Sequence, residues 1–369
     1  MGRAAVFPGP GKPFELREYP VPEPDEQDLV VKVSRTNICG SDIHMWRGEA
    51  GVQDFGFNYD MILGHEMVGT VVSRGKKRRT DSVGRGLKEG DRVVFTYYIS
   101  CNKCRACHRG DQHMCVQAMT TPIRPCMGPP HFVGGFADYY YVSGQQSIFK
   151  VPDTVSDSAV AGANCALSQV LHGISLAGVN TGDAVVVQGA GGLGLYACAV
   201  ARSMGAQLVI AVDSVPERLE MAQKFGADHV INIQEIDDPR ARVKEIKKHT
   251  GQWGADLVVE VAGVPEAVPE GIRMLGRGGT YLEMGNIRPR QTFKTDPSII
   301  TGGNLSILGV SYYPAETLRR AVDFLDREQD RFPFEDLVSH TYELHEIQEA
   351  FEASAGASVT RAAVVPCAH

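Results

Sequence analysis

"AVVVQGAGGLGLYACAVARSMGA", residues 184–206, decides the architecture. An apolar, valine-rich run ends in glycines and passes at once into a segment of helical periodicity that closes on another glycine. Within it, Gly189-Ala190-Gly191-Gly192-Leu193-Gly194 fits G-x-G-x-x-G between a strand and a helix. The next apolar run, QLVIAVD, ends on Asp213, 24 positions after Gly189. In that context the glycines let the backbone approach a pyrophosphate, whose charge meets the amide donors at the helix N-terminus. Gly189, Gly191, Gly192, Leu193, Gly194 and Asp213 are therefore the expected dinucleotide-binding residues. Asp213 would accept from the adenosine ribose hydroxyls and repel a 2′-phosphate. Ser214-Val215-Pro216 supplies no arginine to hold one, so NAD is expected rather than NADP. An ordinary β–α turn with a surface aspartate is the weaker reading.

The same beat continues outward. PERLEMAQKFGA reads as a helix opened by proline, HVINI as a strand, DDPRARVKEIKKHTG as a helix and ADLVVEVAG as a strand. PEAVPEGIRMLGRGG reads as a further helix, with TYLEMG and NLSILGVS as strands. Strands separated by single helices predict a doubly wound parallel sheet over residues 167–310. Residues 1–166 differ: short apolar runs such as DLVVKV and MVGTVV, split by turn residues, predict a β-rich domain. A helix, a short strand and another helix in 311–369 return to that first domain. The basic stretch SRGKKRRTDSVGRG (73–86) reads as a solvated loop extending a hairpin.

The totals narrow the function. A chain of 369 residues has room for two domains with sizeable cores. Its net charge of −7 leaves no basic footprint for nucleic acid or an anionic membrane. The longest apolar stretches fall short of the roughly 18 residues that span a bilayer, and MGRAAVFPGPGKPF lacks the apolar core of a secretory signal. A cytoplasmic, reducing setting is expected. The nine cysteines are then metal ligands or buried fillers rather than disulfides.

Four of them cluster. Cys101, Cys104, Cys107 and Cys115 form C-x2-C-x2-C-x7-C. Two-residue gaps let thiolates converge on one tetrahedral ion, and four close its shell, so a structural zinc is expected. An iron–sulfur cluster and free surface thiols are the rivals. A second system begins with Cys39 in NICGSDIHMWRG (37–48). His65 follows in Gly64-His65-Glu66, and Cys165 in AGANCALSQVLHG. Two thiolates and an imidazole with a fourth position open are the ligand set of a catalytic zinc, although each residue taken singly also reads as structural.

Together, CGSDIH (39–44), GHE (64–66), the four-cysteine lobe, GGFADYYYV (134–142), GAGGLG (189–194) and Asp213 resemble the zinc-containing medium-chain alcohol dehydrogenase family, over nearly the whole chain. The resemblance implies an α/β protein, with a GroES-like β-rich catalytic domain interrupted by a Rossmann coenzyme domain. It implies NAD and two zinc ions per chain, Cys39, His65 and Cys165 holding the catalytic one. Cys165 lies 24 residues before Gly189, the separation at which the family places its third ligand. Polyol-oxidising relatives carry Glu-Pro where this chain has Asn164-Cys165-Ala166, so the chain is more similar to the simple-alcohol branch.

Glu66 resembles a residue that approaches the zinc during ligand exchange, or else supports the ligands from behind. Asp42 either orients a ligating imidazole or caps its turn. Ser41 is placed to take the alcohol proton, and His44 to pass it to solvent or to contact the cofactor. In the family a ribose hydroxyl bridges the two. Cys126 and His131 compete for the third-ligand position but lack the spacing of Cys165, and His172 reads as a helix-face residue near the cofactor. Trp46, Phe55, Phe57 and Tyr59 either wall the substrate site, favouring an apolar alcohol, or pack the domain surface. The expected protein is a zinc- and NAD-dependent dehydrogenase that interconverts a primary or secondary alcohol with its aldehyde or ketone. A polyol or sugar dehydrogenase and a non-catalytic NAD-binding sensor are the alternatives. A small-molecule substrate and a homo-oligomer, dimer or tetramer, are expected, with no nucleic-acid or membrane partner.

Overall fold

The apolar runs of the second half build a six-stranded parallel sheet. Its order is His229–Asn232, Leu208–Asp213, Ala184–Gln188, Ala255–Glu260, Leu275–Glu283, Ser306–Gly309. This computed structural model describes residues 1–50, 59–120, 123–356 and 359–366. Ala184–Gln188 comes first in the chain and lies mid-sheet, so the chain winds outward in both directions from it, which is the doubly wound arrangement. Val185, Val186 and Val187 are all buried although successive side chains point to opposite faces. Both faces are therefore covered, which is why the strand is written as a run and not as an alternation.

One helix is shorter than its sequence suggests. PEAVPEGIRMLGRGG reads as a helix throughout, yet the helix spans Ala267–Met274 and the strand begins at Leu275. Gly278 sits at φ +79°, and a Cβ on Gly276 would lie 2.7 Å from the Trp253 ring. Close packing, together with a backbone only glycine adopts freely, converts the end of the helical pattern into strand.

The chain forms two compact units. One comprises Gln169–Ser311 with Asp330–Pro333, and the other Met1–Ser168, Tyr312–Gln329 and the chain from Phe334 onward. In the latter, the main sheet runs His340–Glu343, Ala362–Val365, Leu29–Asn37, Glu66–Arg74, Arg92–Phe95, Ile148–Lys150, and Tyr139–Val142 also pairs with Leu29–Asn37. Glu15–Tyr19, Gly2–Phe7 and Met61–Ile62 make a second, three-stranded sheet. Asn37 pairs with Glu66 on one side and with Ala363 on the other. The returning strand thus brings Arg361 beside Glu66, two residues far apart in sequence. The basic stretch lies on a hairpin extension: Lys77 pairs with Glu26, Arg85 with Asp81, and Arg78 donates to the carbonyls of Gly144 and Gln146.

At the C-terminal edge of the parallel sheet, Glu260 and Glu283 are neighbours in register. Asn286 Nδ2 donates to both, at 3.0 Å and 3.2 Å. Burial first, and then the Glu283 carboxylate, raise Glu260 from an ordinary 4.5 to about 8. Between those values the folded protein holds a proton that the unfolded chain releases. Stability should therefore fall as pH rises from about 4.5 to about 8 and level off above it. The midpoint of thermal unfolding followed across that window should decline in the native chain, and Glu260→Gln should flatten the slope.

Candidate active site

Cys39 caps the N-terminus of the short helix Gly40–Trp46, and Asp42 closes its first turn. Asp42 Oδ2 accepts from the Cys39 amide at 2.9 Å. Oδ1 accepts from the Gly64 amide at 3.2 Å and faces His65 Nδ1 at 3.3 Å. One buried carboxylate thus both caps its turn and faces the His65 ring. Gly64 takes φ +89°, and a Cβ there would lie 2.9 Å from Thr36 Cγ2, so the GHE turn requires its glycine. With Nδ1 turned to Asp42, His65 keeps its lone pair on Nε2, 3.3 Å from Ser41 Oγ, which can donate to it.

Cys165 arrives by another route. Residues Ala163–Leu167 form one wide turn of π-helix, a distortion common at functional sites. Buried Asn164 pins it: its Oδ1 accepts from the Met67 amide at 3.3 Å and its Nδ2 donates to the Phe95 carbonyl at 3.1 Å. The Tyr313 hydroxyl donates to the Asn164 carbonyl. One donor atom each from Cys39, His65, Glu66 and Cys165 consequently lies within 4.8 Å of the others, and all four residues are buried.

The charges of this cluster are coupled. Cys165 hydrogen-bonds Cys39, which with His65 holds Cys39 well below the ordinary thiol range against the opposing effect of burial. The same bond, then burial, push Cys165 well up. Burial disfavours the His65 imidazolium, but Asp42 and Cys39 outweigh it and raise His65 to about 10. Glu66 Oε2 is paired with buried Arg361, while Glu66 Oε1 is buried without a hydrogen-bond partner. Two thiols, an imidazole nitrogen and a carboxylate oxygen in one buried spot fit a zinc ion.

A second cluster is formed by Cys101, Cys104, Cys107 and Cys115, whose sulfurs also lie within 4.8 Å of one another. Cys104–Cys107 is 3.5 Å and Cys101–Cys107 is 4.0 Å. Four sulfurs at about 2.3 Å from a tetrahedral zinc stand about 3.8 Å apart, so this set fits too. Burial opposes ionisation of Cys115, but the amides of Cys101, Ala118 and Gln117 bring it to about 6.

In the loop Gly189–Gly194, three glycines have distinct reasons. Gly189 sits at φ +98° with Ala262 N 2.7 Å from where a Cβ would stand. A Cβ on Gly194 would lie 1.8 Å from the Gly189 carbonyl oxygen. Gly191 instead faces open space, and it caps the helix Gly192–Ser203, which carries Leu193 in its first turn. Turn, close packing and an open approach to a helix N-terminus fit a dinucleotide pyrophosphate. Asp213 ends the adjacent strand, and its carboxylate accepts from the amides of Ala190, Ser214 and Val215 at 2.7–2.9 Å.

Other residues singled out in the sequence lie elsewhere. Cys126 Sγ bonds the Asp60 carbonyl at 3.0 Å in the core, and His131 Nδ1 bonds the Cys126 carbonyl while its ring stacks on Tyr19, so neither joins the buried donor set. His172 lies on the helix Ser168–Ala177, outside that set. Trp46 and Tyr59 pack against the core near Phe351 and Phe7 and form no wall at the cluster, while Phe55 and Phe57 lie outside the described residues. The aromatic surroundings come instead from Tyr97, whose ring centroid is 5.0 Å from that of His65, and from Tyr98, Tyr312 and Tyr313, which meet it edge-on or tilted. FTYY just ahead of the cysteine lobe was the available sign. Arg361 had a fainter one, a single charge opening the apolar run AAVV.

Residues 25–153 match the alcohol dehydrogenase GroES-like domain, and residues 192–327 match the family described as zinc-binding dehydrogenase. The 5-exo-hydroxycamphor dehydrogenase of Pseudomonas putida is 34% identical over 95% of this chain and 94% of its own. The sorbitol dehydrogenase of Bacillus subtilis is 30% identical over 92% of this chain and 90% of its own. An alcohol dehydrogenase structure from Thermotoga maritima matches with a TM-score of 0.91 at 27% identity, covering 99% of each chain. The chain belongs to the zinc-containing medium-chain alcohol dehydrogenase family, and is an oxidoreductase.

Arg361→Met should leave the Glu66 carboxylate buried without its counter-charge, at a cost of about 3–5 kcal/mol. Urea unfolding should show that loss as a lower midpoint, and adding Glu66→Gln should recover part of it.

Proposed function

We propose that the protein is an NAD-dependent alcohol dehydrogenase with two zinc ions per chain, one held by Cys39, His65 and Cys165 and one by the four-cysteine lobe. The observation that carries this reading is the buried convergence of Cys39, His65, Cys165 and a carboxylate oxygen of Glu66. When bound, zinc supplies a Lewis acid for an alcohol oxygen, and the dinucleotide supplies the hydride acceptor. The protein's own groups supply orientation and a route for the proton. Asp42 fixes the His65 ring through Nδ1. Arg361 holds Glu66 by Oε2 and leaves Oε1 without a hydrogen-bond partner. Ser41 Oγ both accepts and donates, and is the first acceptor of the alcohol proton. His44, with a quarter of its side chain exposed, is the last group before solvent. Asp213 favours NAD by accepting from ribose hydroxyls and repelling a 2′-phosphate.

Tyr97 beside His65, with Tyr312 tilted against Tyr97, favours an alcohol whose substituents are apolar. The resemblance to sorbitol dehydrogenase keeps a polyol substrate as the second reading. Assembly as a homo-oligomer belongs to the same proposal, supported by the outer strand Ser306–Gly309 and its half-exposed Ile307. So does a cytoplasmic setting, supported by eight described cysteines that are all free thiols. Among the described residues no helix is long and apolar enough to cross a membrane.

The test is reduction of NAD⁺, with NADP⁺ alongside, by the zinc-loaded protein on ethanol, benzyl alcohol, cyclohexanol and sorbitol. Benzyl alcohol or cyclohexanol should turn over best, and only with NAD⁺. A preference for sorbitol would favour the polyol reading. Cys165→Ser should remove one zinc per chain by elemental analysis and lower kcat by at least about 100-fold, the size expected when a Lewis acid is lost.

A further inference from the structure

We propose that Glu49 is a positioning residue for His44, fixing the tautomer in which the last group of the proton route works. The inference rests on the reading of His44 as that group.

The helix Gly40–Trp46 ends in a Schellman motif. The Gly48 amide donates to the Met45 carbonyl at 3.0 Å, and the Glu49 amide donates to the His44 carbonyl at 2.8 Å. Gly48 takes φ +76°, and a Cβ there would lie 2.9 Å from Pro10, so glycine is needed at this turn. The motif therefore sets Glu49 directly over His44. Its side chain completes the link, with Glu49 Oε2 2.7 Å from His44 Nδ1. The two residues are joined twice, by backbone and by side chain, and both side chains are mostly shielded from solvent.

A carboxylate can only accept, so this bond places the histidine proton on Nδ1. Nε2 then carries the free lone pair that receives a proton from within and releases it outward. Without Glu49, the neutral imidazole reverts to the Nε2–H tautomer that a free imidazole favours, and presents a donor at Nε2, where an acceptor is required. The logic is that of a carboxylate holding a catalytic imidazole in one tautomer. The spacing H-x-x-x-G-E, residues 44–49, is its sequence form. The carboxylate acts on the reaction only through His44.

The test uses full-length, zinc-loaded protein with ¹⁵N-labelled histidine, at a pH where His44 is neutral. His44→Ala identifies the signals. The native ring should show the Nδ1–H tautomer, and Glu49→Leu should convert most of it to Nε2–H while leaving the far-ultraviolet circular dichroism unchanged. Native Nε2–H, or a spectrum indifferent to Glu49→Leu, overturns the proposal. With the best substrate of the panel above, Glu49→Leu should lower kcat about 10-fold, a fraction of a full acid–base contribution, and move KM for NAD⁺ by less than about 2-fold. In the His44→Ala background it should add no further loss. A loss with His44→Ala but none with Glu49→Leu overturns the role of Glu49 and leaves the relay standing. An unchanged kcat in His44→Ala overturns the relay itself, whatever tautomer the ring adopts.

Discussion

One buried carboxylate organises the candidate metal centre. Asp42 takes the amide of Cys39 on one oxygen and the amide of Gly64 on the other, and that second oxygen also faces His65 Nδ1. A carboxylate removed from water is tolerated only where such donors replace its hydration. Here the donors belong to the two segments that carry candidate ligands. The backbone at Cys39 and the turn bearing His65 are thereby tied to one another through Asp42. This explains why CGSDIH and GHE work as a pair although the chain between them is of another character.

The parts legible in the sequence are those whose constraint is local. A strand buried on both faces has to be a continuous apolar run, and a loop that admits a phosphate has to omit its side chains, so residues 184–194 announce themselves. The four-cysteine lobe is equally local, since two-residue gaps alone bring sulfurs together. Cys165 is different. Nothing in ANCAL predicts a π-helical turn, whose shape depends on Asn164 reaching Met67 and Phe95 and on Tyr313 reaching Asn164 from the returning segment. Only the family spacing singled it out. The Glu66–Arg361 pair is set by strand register across the whole chain, and no window of sequence contains it.

The aromatic residues teach the same lesson in reverse. Trp46 and Tyr59 lie close to the candidate ligands in sequence, and proximity along the chain suggested a wall around the substrate. The helix and strand they flank turn them toward Phe351 and Phe7, where burial in the core is the stronger demand. Tyr97, far from Cys39 and His65 in sequence, reaches the site because it follows the strand Arg92–Phe95, to which Asn164 is bonded. Burial and then Cys165 push its hydroxyl well above the ordinary tyrosine range, so Tyr97 presents a neutral wall rather than a charge.

Charge balance then specifies what the cluster can accept. Glu66 is matched by Arg361 and Asp42 by His65, each pair within hydrogen-bonding or near-contact distance. Cys39 and Cys165 are left with each other, and a thiol can satisfy a thiolate only by keeping one proton on the pair. The opposite shifts of their pKa values express that arrangement, one sulfur ionised and the other protonated. A divalent cation held by both thiolates and a neutral His65 would remove the conflict, since two thiolates match its charge. A monovalent cation would leave a buried negative charge, and a neutral ligand would leave the shared proton in place. The residues around the two sulfurs thus fit a soft divalent ion. Three such ligands would leave a fourth position for an incoming oxygen.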